Sequence, residues 1–148
     1  RNLTVRKNLL SFVLPHAILK KIVRKQKGGT HMSVLFLEYP KCSTCKKAKA
    51  WLEAAGVDFM DRHIVENNPT AEELKQWHAK SGLPLKKFFN TSGMLYKEMQ
   101  LKDKLADMSD DEQFALLATN GMLVKRPLII GDDFVLVGFK EAEWERLK

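Results

Sequence analysis

Val34-Leu-Phe-Leu-Glu-Tyr-Pro-Lys-Cys42-Ser-Thr-Cys45-Lys-Lys-Ala-Lys-Ala-Trp-Leu-Glu-Ala-Ala-Gly56 joins an apolar run, a turn and a helix-forming run. Val34 to Leu37 is short, apolar and closely followed by Pro40, which predicts a buried strand. Lys46 to Ala55 is rich in Lys, Ala, Glu and Leu, all strong helix formers. Gly56 stands where a left-handed cap ends a helix. Between strand and helix lie the only two cysteines of the chain, spaced C-x-x-C. A helix that begins at or just after Cys42 places both on one face, close enough to bridge. Cys42 then occupies the helix N-terminus, where unpaired N–H groups and the positive end of the dipole stabilise a thiolate. Lys41, Lys46 and Lys47 add positive charge nearby. These features make Cys42 the expected nucleophile, Cys45 its resolving partner and Lys46 a thiolate-stabilising cation.

Two other readings of the cysteines stand beside this one. Both could be inert core residues, since a free cysteine packs as a small apolar side chain. They could also be half of a zinc site, but the chain has no second C-x-x-C and no H-x3-5-H pair. His63 and His78 would then have to complete it. The expectation is therefore that no metal is held and that the pair is redox-active.

The length suits one domain, and an apolar fraction of 45% suffices for a core. No apolar run approaches a membrane span, and no membrane association is expected. Two cysteines cannot make a disulfide framework, so their use points to a reducing compartment. The net charge of +7 is concentrated at one end. Residues 1–31 carry Arg1, Arg6, Lys7, Lys20, Lys21, Arg24, Lys25 and Lys27 and no acid, a charge of +8. The +7 of the whole minus this +8 leaves −1 for residues 32–148. Direct DNA binding by that remainder is not expected.

Residues 1–31 are expected to be non-native, or upstream sequence read in frame. Lys27-Gly28-Gly29 back-translates to AAA-GGA-GGN, which contains a bacterial ribosome-binding sequence, and Thr30 and His31 space it from the ATG of Met32. A cloning junction is the rival explanation, because His-Met is encoded by CATATG. Read as protein, the segment makes a poor signal peptide, lacking a small-x-small cleavage site, or a basic membrane-surface helix.

Beyond Gly56, Val57 to Arg62 alternates loosely and predicts a second strand, which Ile64 and Val65 extend. Thr70-Ala-Glu-Glu73 is a capping box opening a helix that carries Trp77 and His78 and ends near Ser81-Gly82. Short helices joined by the Asn90–Gly93 turn, and another at Leu101–Leu105, are expected next. A second capping box, Ser109-Asp-Asp-Glu112, opens a helix that stops at Asn120-Gly121. Leu128–Ile130 and Phe134–Val137 flank Gly131-Asp132-Asp133 as a hairpin. A terminal helix follows over Lys140–Lys148, with Trp144 and Leu147 turned inward. This order predicts a mixed sheet with helices on both faces.

The chain resembles the arsenate reductase/Spx family. The resemblance is carried by Tyr39-Pro-Lys-Cys-Ser-Thr-Cys-Lys-Lys-Ala-Lys-Ala-Trp-Leu, Ile64-Val-Glu-Asn-Asn-Pro-Thr-Ala-Glu-Glu-Leu, Lys87-Phe-Phe-Asn-Thr-Ser-Gly and Gly121-Met-Leu-Val-Lys-Arg-Pro-Leu-Ile-Ile. It runs from about Met32 to Lys148, as a single domain, and this ordered set is far more specific than C-x-x-C alone. It implies a thioredoxin-like (glutaredoxin-like) α/β fold, with a mixed four-stranded sheet, flanking helices and a helical insertion. It also implies a cis peptide before Pro127, with Pro127 and Arg126 facing the cysteines and Arg126 stabilising the thiolate or gripping an anion.

Two branches of the family imply different roles. The glutathione-dependent arsenate reductases use one cysteine and three arginines. Cys42 and Arg126 match, but Asn90 takes the place of one arginine, and the third falls near Gly138, with Lys140 the closest cation. They also lack a cysteine at the position of Cys45, so arsenate is a poor expectation here. The Spx branch uses C-x-x-C as a switch and binds the RNA polymerase alpha subunit; Cys42, Cys45, Gly82 and Arg126 match positions that matter there. The resulting expectation is a cytoplasmic, bacterial thiol–disulfide protein without a bound cofactor. Its electron donor or redox partner would be glutathione, glutaredoxin or thioredoxin, and the alternative is a redox-switched regulator bound to the alpha C-terminal domain.

Overall fold

A computed structural model describes residues 33–148. The expectations for residues 1–31 lie outside the described residues. Strand β1 (Val34–Glu38) leads through the Tyr39–Lys41 turn into helix α1 (Ser43–Ala55). Gly56, with φ +68°, ends α1 in the left-handed conformation, and β2 (Phe59–His63) follows. The strand ends before Ile64 and Val65, against expectation. Ile64 N–H makes the last ladder bond, to Glu38 O at 2.8 Å; beyond it His63 Nδ1 accepts from Val65 and Glu66 N–H and His63 O from Asn67 N–H, so the chain turns there.

Helix α2 (Ala71–Ser81) and helix α5 (Asp110–Thr119) both start in complete capping boxes, Thr70/Glu73 and Ser109/Glu112. Arg62 fixes the entry to α2 by donating to both Glu73 oxygens, at 2.6 and 3.0 Å, and to the carbonyls of Asn67 and Asn68. Between α2 and α5 lie a 3-10 turn (Leu85–Phe88), short helices α3 (Met94–Glu98) and α4 (Leu101–Lys104), and a second 3-10 turn (Leu105–Asp107). This is the helical insertion. Strands β3 (Leu128–Ile130) and β4 (Val135–Val137) form the hairpin; Phe134 stays outside β4, its ring against Gly131. The terminal helix is shorter than expected: α6 (Glu141–Trp144) tightens into a 3-10 turn over Glu145–Leu147.

The sheet order is β2-β1-β3-β4, with β1 parallel to β2 and the other pairs antiparallel. Register places Phe36 opposite Ile129 and Leu37 opposite Leu128. Period-two alternation then divides the core between the two faces. Val34, Phe36, Ile129 and Leu136 pack with Ala48 and Leu52 of α1 and with Trp144. Leu37, Leu128, Ile130 and Val137 pack with Leu74 and Trp77 of α2, Phe114 of α5 and the insertion. His78 packs on the rings of Phe88 and Phe114. Gly121 allows a close approach: a Cβ there would stand 1.9 Å from Ile64 O. Among the described residues no helix is long and apolar enough to cross a membrane.

Candidate active site

Cys42 is the N-cap of α1 and Cys45 lies in its first turn, because the extended backbone at Cys42 (φ −81°, ψ 124°) lets the helix begin at Ser43. Lys46 N–H bonds to Cys42 O at 3.0 Å, closing the first turn. Both cysteines are free thiols; Cys42 is half-buried and Cys45 fully buried. Their environments push them apart. Burial works to raise the Cys42 thiol. Hydrogen bonds from the Cys45 N–H and thiol, the Thr44 N–H and the Arg126 guanidinium outweigh it and bring Cys42 below the ordinary thiol value. Burial pushes Cys45 up to about 12, against the Tyr39 N–H and the charge of Arg126. The two thiols are thus shifted in opposite directions, Cys42 down and Cys45 up.

The Arg126–Pro127 peptide is cis, and Arg126 lines the cleft beside Cys42. Its guanidinium stacks on the Tyr39 ring, 5.2 Å from the centroid. The Nε and Nη1 atoms are buried without a hydrogen-bond partner. The cleft has a volume of about 390 Å³, and its polar wall is formed by Cys42, Asn90, Ser92, Lys125, Arg126 and Lys140, with no acid among its described lining residues. Three cations around the Cys42 sulfur form a setting for an anionic group.

Several expected residues fall elsewhere. Lys46 is exposed and does not line the cleft; backbone N–H groups, Cys45 and Arg126 act on Cys42 instead. Gly82 caps α2 with φ +65° on the open surface, also outside the cleft lining. Asn90, where one arginine of the arsenate reductases is expected to fall, lines the cleft, as do Gly138 and Lys140, near which the other is expected. Gly138 has φ +78°, a conformation that disfavours any larger residue. Lys125 and Ser92 were not singled out from sequence; Lys125 stands beside Arg126, and that adjacency was the available signal.

Removing the guanidinium should expose its effect on the thiol. In Arg126→Ala the midpoint of Cys42 alkylation, followed with iodoacetamide against pH, is expected to move upward. The rate at neutral pH should then fall severalfold, because the thiolate is populated only above the folded-state pKa. An unchanged midpoint would remove Arg126 from the thiolate's partners.

A mixed four-stranded sheet, a C-x-x-C turn opening the first helix and a cis-proline loop across from it define a thioredoxin-like thiol protein. The ArsC family matches residues 37–147, and the chain belongs to that family. It is 58% identical over 114 residues to YusI of Bacillus subtilis (strain 168), covering 77% of this chain and 97% of YusI. It is 29% identical over 112 residues to the regulatory protein MgsR of the same organism, covering 76% of this chain and 87% of MgsR. The crystal structure of an ArsC family related protein from Bacteroides fragilis superposes with a TM-score of 0.77 at 61% identity, covering 80% of this chain and 99% of that one.

Proposed function

We propose that this protein is a thiol–disulfide oxidoreductase in which Cys42 attacks an oxidised sulfur and Cys45 resolves the mixed disulfide. The observation that carries this reading is the opposed pair of thiols: Cys42 lowered at the helix N-terminus, Cys45 buried and raised to about 12. A substrate or donor bearing carboxylates suits the Lys125, Arg126 and Lys140 wall, so glutathione is the small thiol it favours, with glutaredoxin or thioredoxin as protein partners. The setting is the reducing cytoplasm of a bacterium.

The likeness to MgsR supports a second reading, a redox switch. In it an oxidant converts the Cys42 thiolate to a sulfenic acid, and Cys45 displaces water to close the bridge. The altered start of α1 then changes binding to a partner such as the RNA polymerase alpha C-terminal domain, with Gly82 and Arg126 at the contact. Arsenate reduction is supported least, because the cleft offers Asn90 in place of one arginine of that branch and only Lys140, near Gly138, in place of another.

Thiol trapping across glutathione buffers tests what both main readings share. The Cys42–Cys45 couple is expected to have a potential between those of thioredoxin and the glutaredoxins, about −270 to −200 mV. If no intramolecular disulfide forms at any poise, both readings fail. Turnover with glutathione or thioredoxin selects the enzyme, and redox-dependent capture of the alpha C-terminal domain selects the switch.

A further inference from the structure

A second cavity, of about 240 Å³, opens in the helical insertion and shares no lining residue with the Cys42 cleft. It is lined by Lys86 of the first 3-10 turn, Tyr96 of α3, Lys102 of α4, Leu105 and Ala106 of the second 3-10 turn, and Gln113 of α5. Tyr96 is 5% exposed, and its hydroxyl is buried without a hydrogen-bond partner among the described residues. A buried tyrosine hydroxyl ordinarily finds a partner, because a phenol taken from water and left unpaired is destabilising. The ring is held against Phe89, with centroids 6.2 Å apart. Lys86 and Lys102 are exposed, and among the described residues neither side chain makes a hydrogen bond or ion pair. None of the lining residues is acidic. The walls are fixed by the protein itself. Gln113 donates to Leu105 O and Met108 O at 3.1 and 3.2 Å, tying α5 to the 3-10 turn. Gln100, with φ +54°, makes the left-handed turn that leads from α3 into α4.

We propose that this cavity is a binding site for a small organic carboxylate with an apolar body. The carboxylate meets Lys86, Lys102 and the Tyr96 hydroxyl, and the body rests on Leu105 and Ala106. The site stands independently of the redox reading of Cys42 and Cys45.

Three features select this class of ligand. Two ammonium groups with no acid beside them call for negative charge. The Tyr96 hydroxyl can donate to a carboxylate oxygen, and a hydrogen bond to a charged acceptor is among the stronger kinds. Leu105, Ala106 and the Tyr96 ring supply the apolar surface against which a few polar groups orient a ligand. The size sets the limit: drug-sized sites occupy roughly 300–1,000 Å³, so this smaller cavity takes an acid of about the bulk of benzoate. Inorganic phosphate fits less well. It would meet two lysine point charges but no guanidinium fork, and it would leave the apolar wall unused.

The test is a titration of the reduced full chain with benzoate, followed by amide chemical shifts in two-dimensional NMR. Benzamide serves as the neutral isostere and inorganic phosphate as the competing anion. Benzoate is expected to move the signals of Lys102, Ala106 and Gln113 saturably, with half-saturation on the order of 1 mM. Benzamide and phosphate should bind there at least about tenfold more weakly. Lys102→Gln should weaken benzoate on the order of tenfold and Tyr96→Phe severalfold. Unliganded Tyr96→Phe should melt no lower than the parent, because it deletes a hydroxyl that has no partner; a lost structural hydrogen bond would lower the melting temperature instead. Shifts confined to the cleft residues Ser92, Lys125 and Gly138, or no saturable shift, would overturn the site. Equal binding of benzamide would remove the role of charge, and equal binding of phosphate the carboxylate class. Unaltered affinity in Tyr96→Phe would contradict the part given to the hydroxyl.

Discussion

Cys42→Ser is expected to end thiol–disulfide exchange, with activity falling to the uncatalysed background. Cys45→Ser should instead stop it half-way. The asymmetry follows from the two environments. Cys42 stands at the mouth of the cleft with its thiolate favoured by N–H groups and Arg126. Cys45 is fully buried and raised to about 12, which disfavours its thiolate at neutral pH. Cys45 therefore cannot take over the attack. Incubation with glutathione disulfide, read by intact mass, makes the distinction. Cys45→Ser should retain one covalently attached glutathione, Cys42→Ser none, and the parent protein should lose only the two hydrogens of its dithiol. Attachment to Cys42→Ser at the parent rate would contradict the assignment of the nucleophile.

Trp144→Ala should destabilise the protein by about 3–5 kcal/mol. Trp144 is fully buried, and its ring meets Phe36, Trp51 and Phe139 edge-on, with centroids 6.3, 5.8 and 4.8 Å away. Its indole N–H donates to Gly138 O at 3.1 Å. Truncation opens a cavity under the sheet and leaves that carbonyl without the donor, and the two costs add. Gly138 and Phe139 also wall the cleft, so the damage should reach the site and slow Cys42 alkylation. Urea unfolding of the reduced protein measures the loss. A change below about 1 kcal/mol would mean that the ring is replaceable where three aromatic neighbours say it is not.

The parts of this fold that read directly from sequence are governed by neighbours a few residues apart. Both capping boxes are such parts, as is the ending of α1 at Gly56. The ends of short elements read less well. β2 stops at His63 because the His63 ring captures the N–H groups of Val65 and Glu66 and its carbonyl that of Asn67, closing a turn that the apolar pair Ile64 and Val65 does not announce. The terminal helix tightens after Trp144. Lys46 looked like a thiolate partner because it is close in sequence, yet it faces solvent, whereas Arg126 comes from the far end of the chain.

By itself, the order of residues determined the strand–turn–helix unit, the place of Cys42 at a helix start and the alternation that buries the sheet on both faces. Each follows from local backbone geometry and side-chain periodicity. Only the tertiary structure decided that Asn90, Lys125, Arg126 and Lys140 share one cleft with Cys42, that two guanidinium nitrogens remain unpartnered, and that the buried Glu38 meets Lys49 of α1. Burial and charge coupling depend on which distant elements pack together. That packing shifts two chemically identical thiols in opposite directions.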